Sequence, residues 1–344
     1  MIEKMINNAF NKENCFYIKA IAIILMIVHH FFGFPDWLLA NNLYYSIGNI
    51  AGRPIEVFIG EICKICVCIF LFITGYGTYI TLNNKKTKIK IKYCFSKCLK
   101  LLLMYWISLI IFVIPIISIF SKISLKLIIS NILLRDTSLI YTSWYVVFYI
   151  IAMIYTLIYT NFDKKKSIIL DFIVGFGVPF VLYFLKPDSL FSHYYPTFMM
   201  GYLFSKYKLF NKFEKININI IIKILFLFIA LIGLFIVRLL IGDSFGPISM
   251  ITFIGPFVCY ILALLVSIVS NIKCIKSILS FLAKYSTWYW FVHSIFHSKI
   301  KDIQLFGYLP KNPILIVVWI FLILSPIVMM LQFIFDKIMK RLSI

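Results

Sequence analysis

The stretch Tyr17-Ile-Lys-Ala-Ile-Ala-Ile-Ile-Leu-Met-Ile-Val-His-His-Phe-Phe32 is an apolar run with one lysine, Lys19, near its start and two adjacent histidines, His29 and His30, near its end. In hydrocarbon an ionisable side chain costs about 2.5–3.5 kcal/mol on insertion scales, so a chain keeps one there mainly where it is used. A helix turns about every 3.6 residues, so the eleven-residue step from Lys19 to His30 is close to three turns. Both residues therefore lie on one helix face, about 16 Å apart along the axis, and the pattern predicts a site reaching from the membrane surface to mid-depth.

The rest of the chain sets the same context. Of 344 residues, 62% are hydrophobic and 14% charged, and the mean hydropathy is +0.98. No water-soluble domain can cover that much apolar surface. The sequence predicts an all-α, polytopic transmembrane helix bundle of about ten spans, near 16–34, 62–82, 99–120, 142–160, 167–185, 190–207, 219–241, 248–270, 277–297 and 313–335. The sixth is short and polar at its start. Residues 1–344 read as a single membrane domain. The first run looks like a signal peptide only superficially, because no small-residue cleavage site follows it and further spans do.

Orientation follows from the lysines. With the N-terminus inside, the inner segments collect Lys4 and Lys12, the cluster from Lys85 to Lys100, Lys164 to Lys166, Lys206 to Lys215, Lys273 and Lys276, and Lys337 to Arg341. The outer segments hold fewer, among them Arg53, Lys122, Lys126, Arg135 and Lys311. The positive-inside rule then places both termini in the cytoplasm of a multi-pass cell-membrane protein. A formal charge of +21 is also a mark of nucleic-acid binding, but here it is scattered over short loops flanking apolar spans, so no nucleic-acid partner is expected. Lysine clusters of this kind draw anionic membrane lipids, and the loop Asn83 to Lys100 is dense enough to attract either lipid or the phosphates of a cytoplasmic donor.

Other features carry less chemistry. The eight cysteines include Cys63, Cys66 and Cys68 at a span start, where small thiols are ordinary filling, and no metal is expected. The first outer loop, Pro35 to Glu61, is long and aromatic enough to fold over the mouth of the first helix pair. Segment 121–141, with lysines four apart, reads as a short amphipathic helix at the outer interface. Walker, GxGxxG, HExxH and GxSxG motifs are absent from the sequence, which argues against an ATP-driven pump, a Rossmann dehydrogenase or a soluble-type hydrolase.

The opening run resembles the first helix of the acyltransferase-3 family, integral membrane enzymes that O-acylate sugars of cell-surface polysaccharides. The family's Arg and the His eleven residues later map onto Lys19 and His30. The run Ile69-Phe-Leu-Phe-Ile-Thr-Gly-Tyr-Gly77 is similar to the family's Phe-rich stretch ending in Ser-Gly-Phe. Weaker echoes are Thr142-Ser-Trp-Tyr145, Pro196-Thr-Phe-Met-Met-Gly201 and Tyr285-Ser-Thr-Trp-Tyr-Trp-Phe-Val-His293. The departures are Phe16 where the family usually has Asp, Lys19 for its Arg, and Thr74 for its Ser. A lysine holds a phosphate or carbonyl oxygen as a point charge but lacks the bidentate fork.

The resemblance implies transfer of an acyl group, most simply acetyl, from cytoplasmic acyl-CoA (acetyl-CoA) to a hydroxyl of a surface glycan acceptor outside. Such transfer needs a base for the hydroxyl proton, and a histidine suits it; His30 is the expected base or, alternatively, the covalent acyl carrier. His29 points about 100° away, either to orient its neighbour or as a structural histidine. Lys19 would neutralise donor phosphate or the oxyanion, or simply snorkel to the interface. Thr74 and Gly75 would admit the donor arm or a neighbouring helix, and Lys85 would meet donor phosphate. Trp144 would stack on a sugar or adenine, or belong to the aromatic belt. His293, Arg53 with Glu56, and Arg238 with Asp243 are the expected acceptor-binding residues, the charged pairs alternatively being rim ion pairs. Two other readings stand beside the enzyme. One is a transporter or flippase for a lipid-linked glycan, which would show an internal repeat; the other is a degenerate, non-catalytic member. The sequence leaves oligomeric state open.

Overall fold

The computed structural model describes residues 9–39, 42–50, 52–162, 167–216, 220–242, 244–245 and 248–342. It is 81% helical. In chain order the helices are α1 (Lys12–Phe32), α2 (Ile55–Cys63), α3 (Cys66–Leu82), α4 (Thr87–Ile107), α5 (Ile114–Phe120), α6 (Leu125–Ile132), α7 (Trp144–Phe162) and α8 (Ile168–Phe172). They continue as α9 (Val178–Leu185), α10 (Leu190–Lys206), α11 (Leu209–Glu214), α12 (Ile220–Ile241), α13 (Ile251–Val269), α14 (Lys273–Val292), α15 (Lys301–Gly307) and α16 (Pro313–Leu342). Two short antiparallel ribbons complete the described chain: β1 (Asn49–Ile50) with β2 (Arg53–Pro54), and β3 (Ser244–Phe245) with β4 (Ile248–Ser249).

Among the described residues seven helical segments are long and apolar enough to cross a membrane: Lys12–Phe32, Ile55–Leu82, Thr87–Phe120, Tyr141–Asn161, Ile168–Leu185, Ile251–Val269 and Pro313–Leu342. The other three expected spans are helices too, but differ in character. Helix α10 has 17 residues and an internal Pro196, and α14 carries Lys273, Lys276 and Lys284 along its length. In α12 the apolar stretch found among the described residues is Ile222–Leu234. Two boundaries also move. Segment Asn83 to Lys100, expected as a loop, is helical from Thr87, and the first outer loop gives way to helix at Ile55 rather than beyond Glu61. The Lys-Ile alternation of α4 is made of residues a helix accommodates readily, and Lys88 and Lys92 stay exposed on its first turns. The expected interfacial helix is α6, capped by Ser124 Oγ accepting from Leu127 N.

The chain forms two compact units. The first comprises Met1–Ala22, Ile65–Cys94 and Ile151–Ala283; the second Ile23–Lys64, Phe95–Ile150 and Lys284–Ile344. In the first unit α3 crosses α10 through two glycines. A Cβ on Gly75 would fall on Phe198 O, and one on Gly201 would fall on Phe72 O, so the backbones approach as only small residues permit. Helix α13 joins them through Gly255, packed on Cys68 Sγ, and through a buried hydroxyl pair, Thr197 Oγ1 to Thr252 Oγ1, at 2.8 Å. Along α3 the threonine hydroxyls are bonded locally: Thr74, Thr78 and Thr81 each donate to the carbonyl four residues earlier.

In the second unit α16 buries the stripe Ile316, Ile320, Leu324, Val328, Leu331 and Phe335, spaced by three or four residues as one helix face requires. Two polar contacts fix its register on α14. Trp288 Nε1 donates to Gln332 Oε1 at 2.6 Å, and the Tyr289 and Ser325 hydroxyls meet at 2.6 Å. In both units large apolar side chains such as Phe184, Leu185, Ile229 and Leu322 are well exposed, an arrangement suited to acyl chains rather than to water.

Candidate active site

The last turn of α1 leaves carbonyl groups that an isolated helix cannot satisfy. In the second unit three of them find donors. Gly33 N donates to His29 O at 2.7 Å, His297 Nε2 donates to His30 O at 2.5 Å, and Tyr308 OH donates to Phe31 O at 2.6 Å. The turn is thereby tied to the His293–His297 turn that follows α14 and to the end of α15. On its other side Gly33 meets Gly60 of α2 so closely that a Cβ on Gly60 would overlap Gly33 N. That approach lets the buried His29 ring reach Gly60 O, to which Nδ1 donates at 2.7 Å.

His30 is only partly buried and points at a different set of groups. Its Nδ1 lies 2.7 Å from His293 Nε2, and the two rings are parallel within 6° with centroids 4.9 Å apart. A nitrogen–nitrogen contact that short at that centroid separation means the rings meet edge to edge in one plane rather than face to face. The Tyr141 ring stands edge-on to His30 at 5.2 Å, and Phe34 lies at 6.2 Å with Trp37 stacked on it at 4.3 Å. Tyr141 is held in place by its neighbour Thr142, whose hydroxyl donates to Trp290 O at 3.1 Å while Trp290 Nε1 donates back to Thr142 O at 3.4 Å.

The proton positions follow from the partners. Tyr289 O can only accept, so His293 Nδ1, 2.7 Å away, carries a hydrogen. His293 is fully buried, and its two partners are a carbonyl and another imidazole, neither of them an anion, so its ring is neutral and its Nε2 is an acceptor. His30 Nδ1 must then be the donor in the histidine pair. A neutral His30 with its hydrogen on Nδ1 presents an unprotonated Nε2. The ring nitrogens committed to one another and to carbonyls do not converge, and among the described residues no group of three His, Cys, Asp or Glu side chains is arranged to hold a metal ion.

The remaining residues singled out in the sequence are distributed as follows. Lys19, partly buried, lies three turns before His30 on α1, in the part of the helix that clusters with the first unit. Thr74 donates its hydroxyl to Phe70 O of its own helix at 2.6 Å, and the side-chain space of Gly75 is filled by the α10 backbone. Lys85 is exposed and lines a cleft of the first unit. Trp144, at the start of α7, stands edge-on to Tyr145 at 5.9 Å. His293, expected among the acceptor-binding residues, is bonded to His30 itself. Arg53 does not pair with Glu56: its guanidinium meets Glu61 at 2.6 Å and lies over the Phe58 ring, because the tight β1–β2 turn at Gly52 carries it to the exposed face of α2. Glu56 is buried and accepts from Ser46 Oγ at 2.8 Å and Ile47 N at 2.5 Å, so its carboxylate staples the outer loop. Arg238 lies in α12 with a side chain outside the described residues, and Asp243 lies outside them altogether. Two contributors escaped the sequence reading, His297 and Tyr141. The first had a signal, since it stands one helical turn after His293; the second had none that local pattern supplies.

No curated protein and no solved structure matches the chain. Residues 17–333, from the opening run almost to the end of α16, match the family described as an acyltransferase domain. An interior histidine pair on apolar helices, found within a match of that extent, identifies this multi-pass membrane protein as a member of the acyltransferase-3 family.

Proposed function

We propose that the protein transfers an acyl group, most simply acetyl, from cytoplasmic acyl-CoA to a hydroxyl of an extracytoplasmic polysaccharide or envelope glycan. His30 is the base. The observation that carries this reading is the bonded chain Tyr289 O, His293, His30, which leaves Nε2 of a partly exposed imidazole without a proton. In the reaction Nε2 takes the proton of the acceptor hydroxyl as its oxygen bonds to the thioester carbonyl carbon. The carbon–sulfur bond then breaks, and the departing thiolate receives that proton from the imidazole, so that ester and free thiol are the products. While His30 carries the extra proton, its Nδ1–H bond to His293 becomes charge-assisted and strengthens, which favours the transition state over the ground state.

Aromatic rings of Tyr141, Phe34 and Trp37 wall the imidazole, keeping its surroundings poor in water so that this bond retains its strength. With both termini in the cytoplasm, donor and acceptor reach His30 from opposite faces of the membrane. The test is mass spectrometry of surface glycan from cells with the gene, without it, and with His30→Ala. Loss of acylation in both altered strains supports the proposal, and an unchanged pattern in every strain removes it.

A further inference from the structure

In the second unit the loop between α1 and α2 builds a cleft of about 540 Å³. Its lining includes Asn42, Tyr44, Tyr45, Ser46 and Pro54, and none of the lining side chains is charged. The loop around it is tied at three points. Gln304 of α15, fully buried, accepts from Leu39 N at 2.8 Å and donates to Trp37 O at 3.3 Å. Glu56 holds Ser46 and Ile47, and Lys311 O accepts from Tyr45 N at 2.8 Å. Between these ties two neighbouring tyrosines take opposite parts. Tyr44 packs on Phe32 at 5.2 Å and Tyr308 at 6.2 Å, whereas Tyr45 is 66% exposed.

The cleft adjoins the aromatic wall of His30. Two of its lining residues, Pro35 and Leu38, bracket Trp37, which is 45% exposed and stacks on Phe34, the ring that lies beside the His30 imidazole. Large aromatic side chains left exposed on a backbone held this firmly mark a binding surface that is formed before its ligand arrives. The chemistry of the lining selects the ligand. An anion finds no cation in the lining, and Lys311 is turned to the Tyr45 ring, 5.4 Å from its centre, and to its hydroxyl at 3.5 Å. A hydrocarbon chain would strip water from the Asn42 amide and the tyrosine phenols without replacing its hydrogen bonds. A neutral sugar ring satisfies both: its hydroxyls pair with those groups, and its slightly positive C–H edges rest on the negative faces of aromatic rings. The volume falls within the roughly 300–1,000 Å³ of pockets that enclose a drug-sized ligand, so the cleft takes more than one ring. We infer that it holds uncharged sugar rings of a glycan chain, beside the ring presented to His30. The acceptor is then recognised as an oligomer and not as a free monosaccharide. The link to acylation rests on the function proposed above; the binding of the chain does not.

The test titrates full-length protein in phosphatidylcholine nanodiscs, without acyl donor, using surface glycan released from cells carrying the gene, de-esterified and cut to disaccharide and hexasaccharide fractions. The hexasaccharide should bind about ten-fold more tightly than the disaccharide, since each stacked ring adds about three- to ten-fold. Raising the salt about ten-fold should leave that preference in place, because exposed charge pairs are screened and stacking is not. Tyr45→Ala should erase most of the preference and Tyr45→Phe should keep it, because stacking needs the ring and not the hydroxyl. Tyr45 is exposed and the loop is tied through Tyr45 N, which alanine retains, so the variant keeps the fold. Failure of both fractions to bind, equal affinity for the two, a preference lost in salt, or one untouched by Tyr45→Ala would each overturn the inference. Transfer from labelled acyl-CoA is scored separately. Transfer with no dependence on chain length overturns the inference alone, and length-dependent binding without transfer overturns the proposed function alone.

Discussion

Replacing His293 by leucine removes the acceptor for His30 Nδ1–H without changing the apolar character of the site. The bond is 2.7 Å long and fully buried on the His293 side. Between neutral partners such a bond contributes about 0.5–1.5 kcal/mol, and with one partner charged about 1.5–3 kcal/mol. Since His30 is charged only while it holds the acceptor's proton, the difference, about 1–1.5 kcal/mol, falls on the chemical step, and each 1.36 kcal/mol is about ten-fold in rate. Freedom of the His30 proton to settle on Nε2 lowers the active fraction further. The expected result is a kcat reduced about 10- to 100-fold with the donor KM little changed, measured with reconstituted protein, labelled acyl-CoA and isolated acceptor glycan. His293→Gln keeps a carbonyl oxygen within reach of Nδ1 and should recover most of the loss. Equal thermal stability of the two variants separates chemistry from folding. A leucine variant with wild-type kcat would refute the reasoning, because it would show that His293 neither orients nor charges the base.

Three further outcomes follow from the packing. Gly60→Ala places a methyl group on Gly33 N and should destabilise the second unit by about 1–3 kcal/mol, seen as a lower melting temperature and reduced transfer. Asp171→Asn leaves Lys206 buried without its counter-charge and should cost about 3–5 kcal/mol of stability by thermal or denaturant unfolding, while Asp171→Leu with Lys206→Met should recover much of it. Thr74→Val removes a hydroxyl that bonds only within its own helix in the described contacts, so stability should shift by less than about 1 kcal/mol and the donor KM should not move.

Much of the architecture was written in local pattern. Apolar runs and lysine-rich connections located the helices because a membrane span must satisfy its backbone internally, whatever its neighbours do. The exceptions are instructive: α10 and α14 are helices at the expected places, yet α10 stops at 17 residues and α14 carries three lysines, so one is short and the other charged for a span. The face shared by Lys19 and His30 was likewise legible, since helical spacing alone defines it. What spacing could not supply was partnership. His293 lies 263 residues from the histidine it bonds, and only the packing of α14 beside the end of α1 reveals that it serves His30. Glu56 and Arg53, three residues apart, invited pairing, but the change from strand to helix between them sends one inward and the other to Glu61. Gly75 carried two readings in the sequence, and the carbonyl of Phe198 occupying its side-chain space selects packing.

The account turns on which nitrogen of His30 lacks a proton. Nitrogen-15 spectra of histidine-labelled protein in nanodiscs near neutral pH, with the His30 signals assigned by comparison with His30→Gln, measure this directly. The hydrogen-bond chain predicts a protonated Nδ1 and an unprotonated Nε2. A His30 ring bearing its hydrogen on Nε2 would contradict it and leave the site without its base.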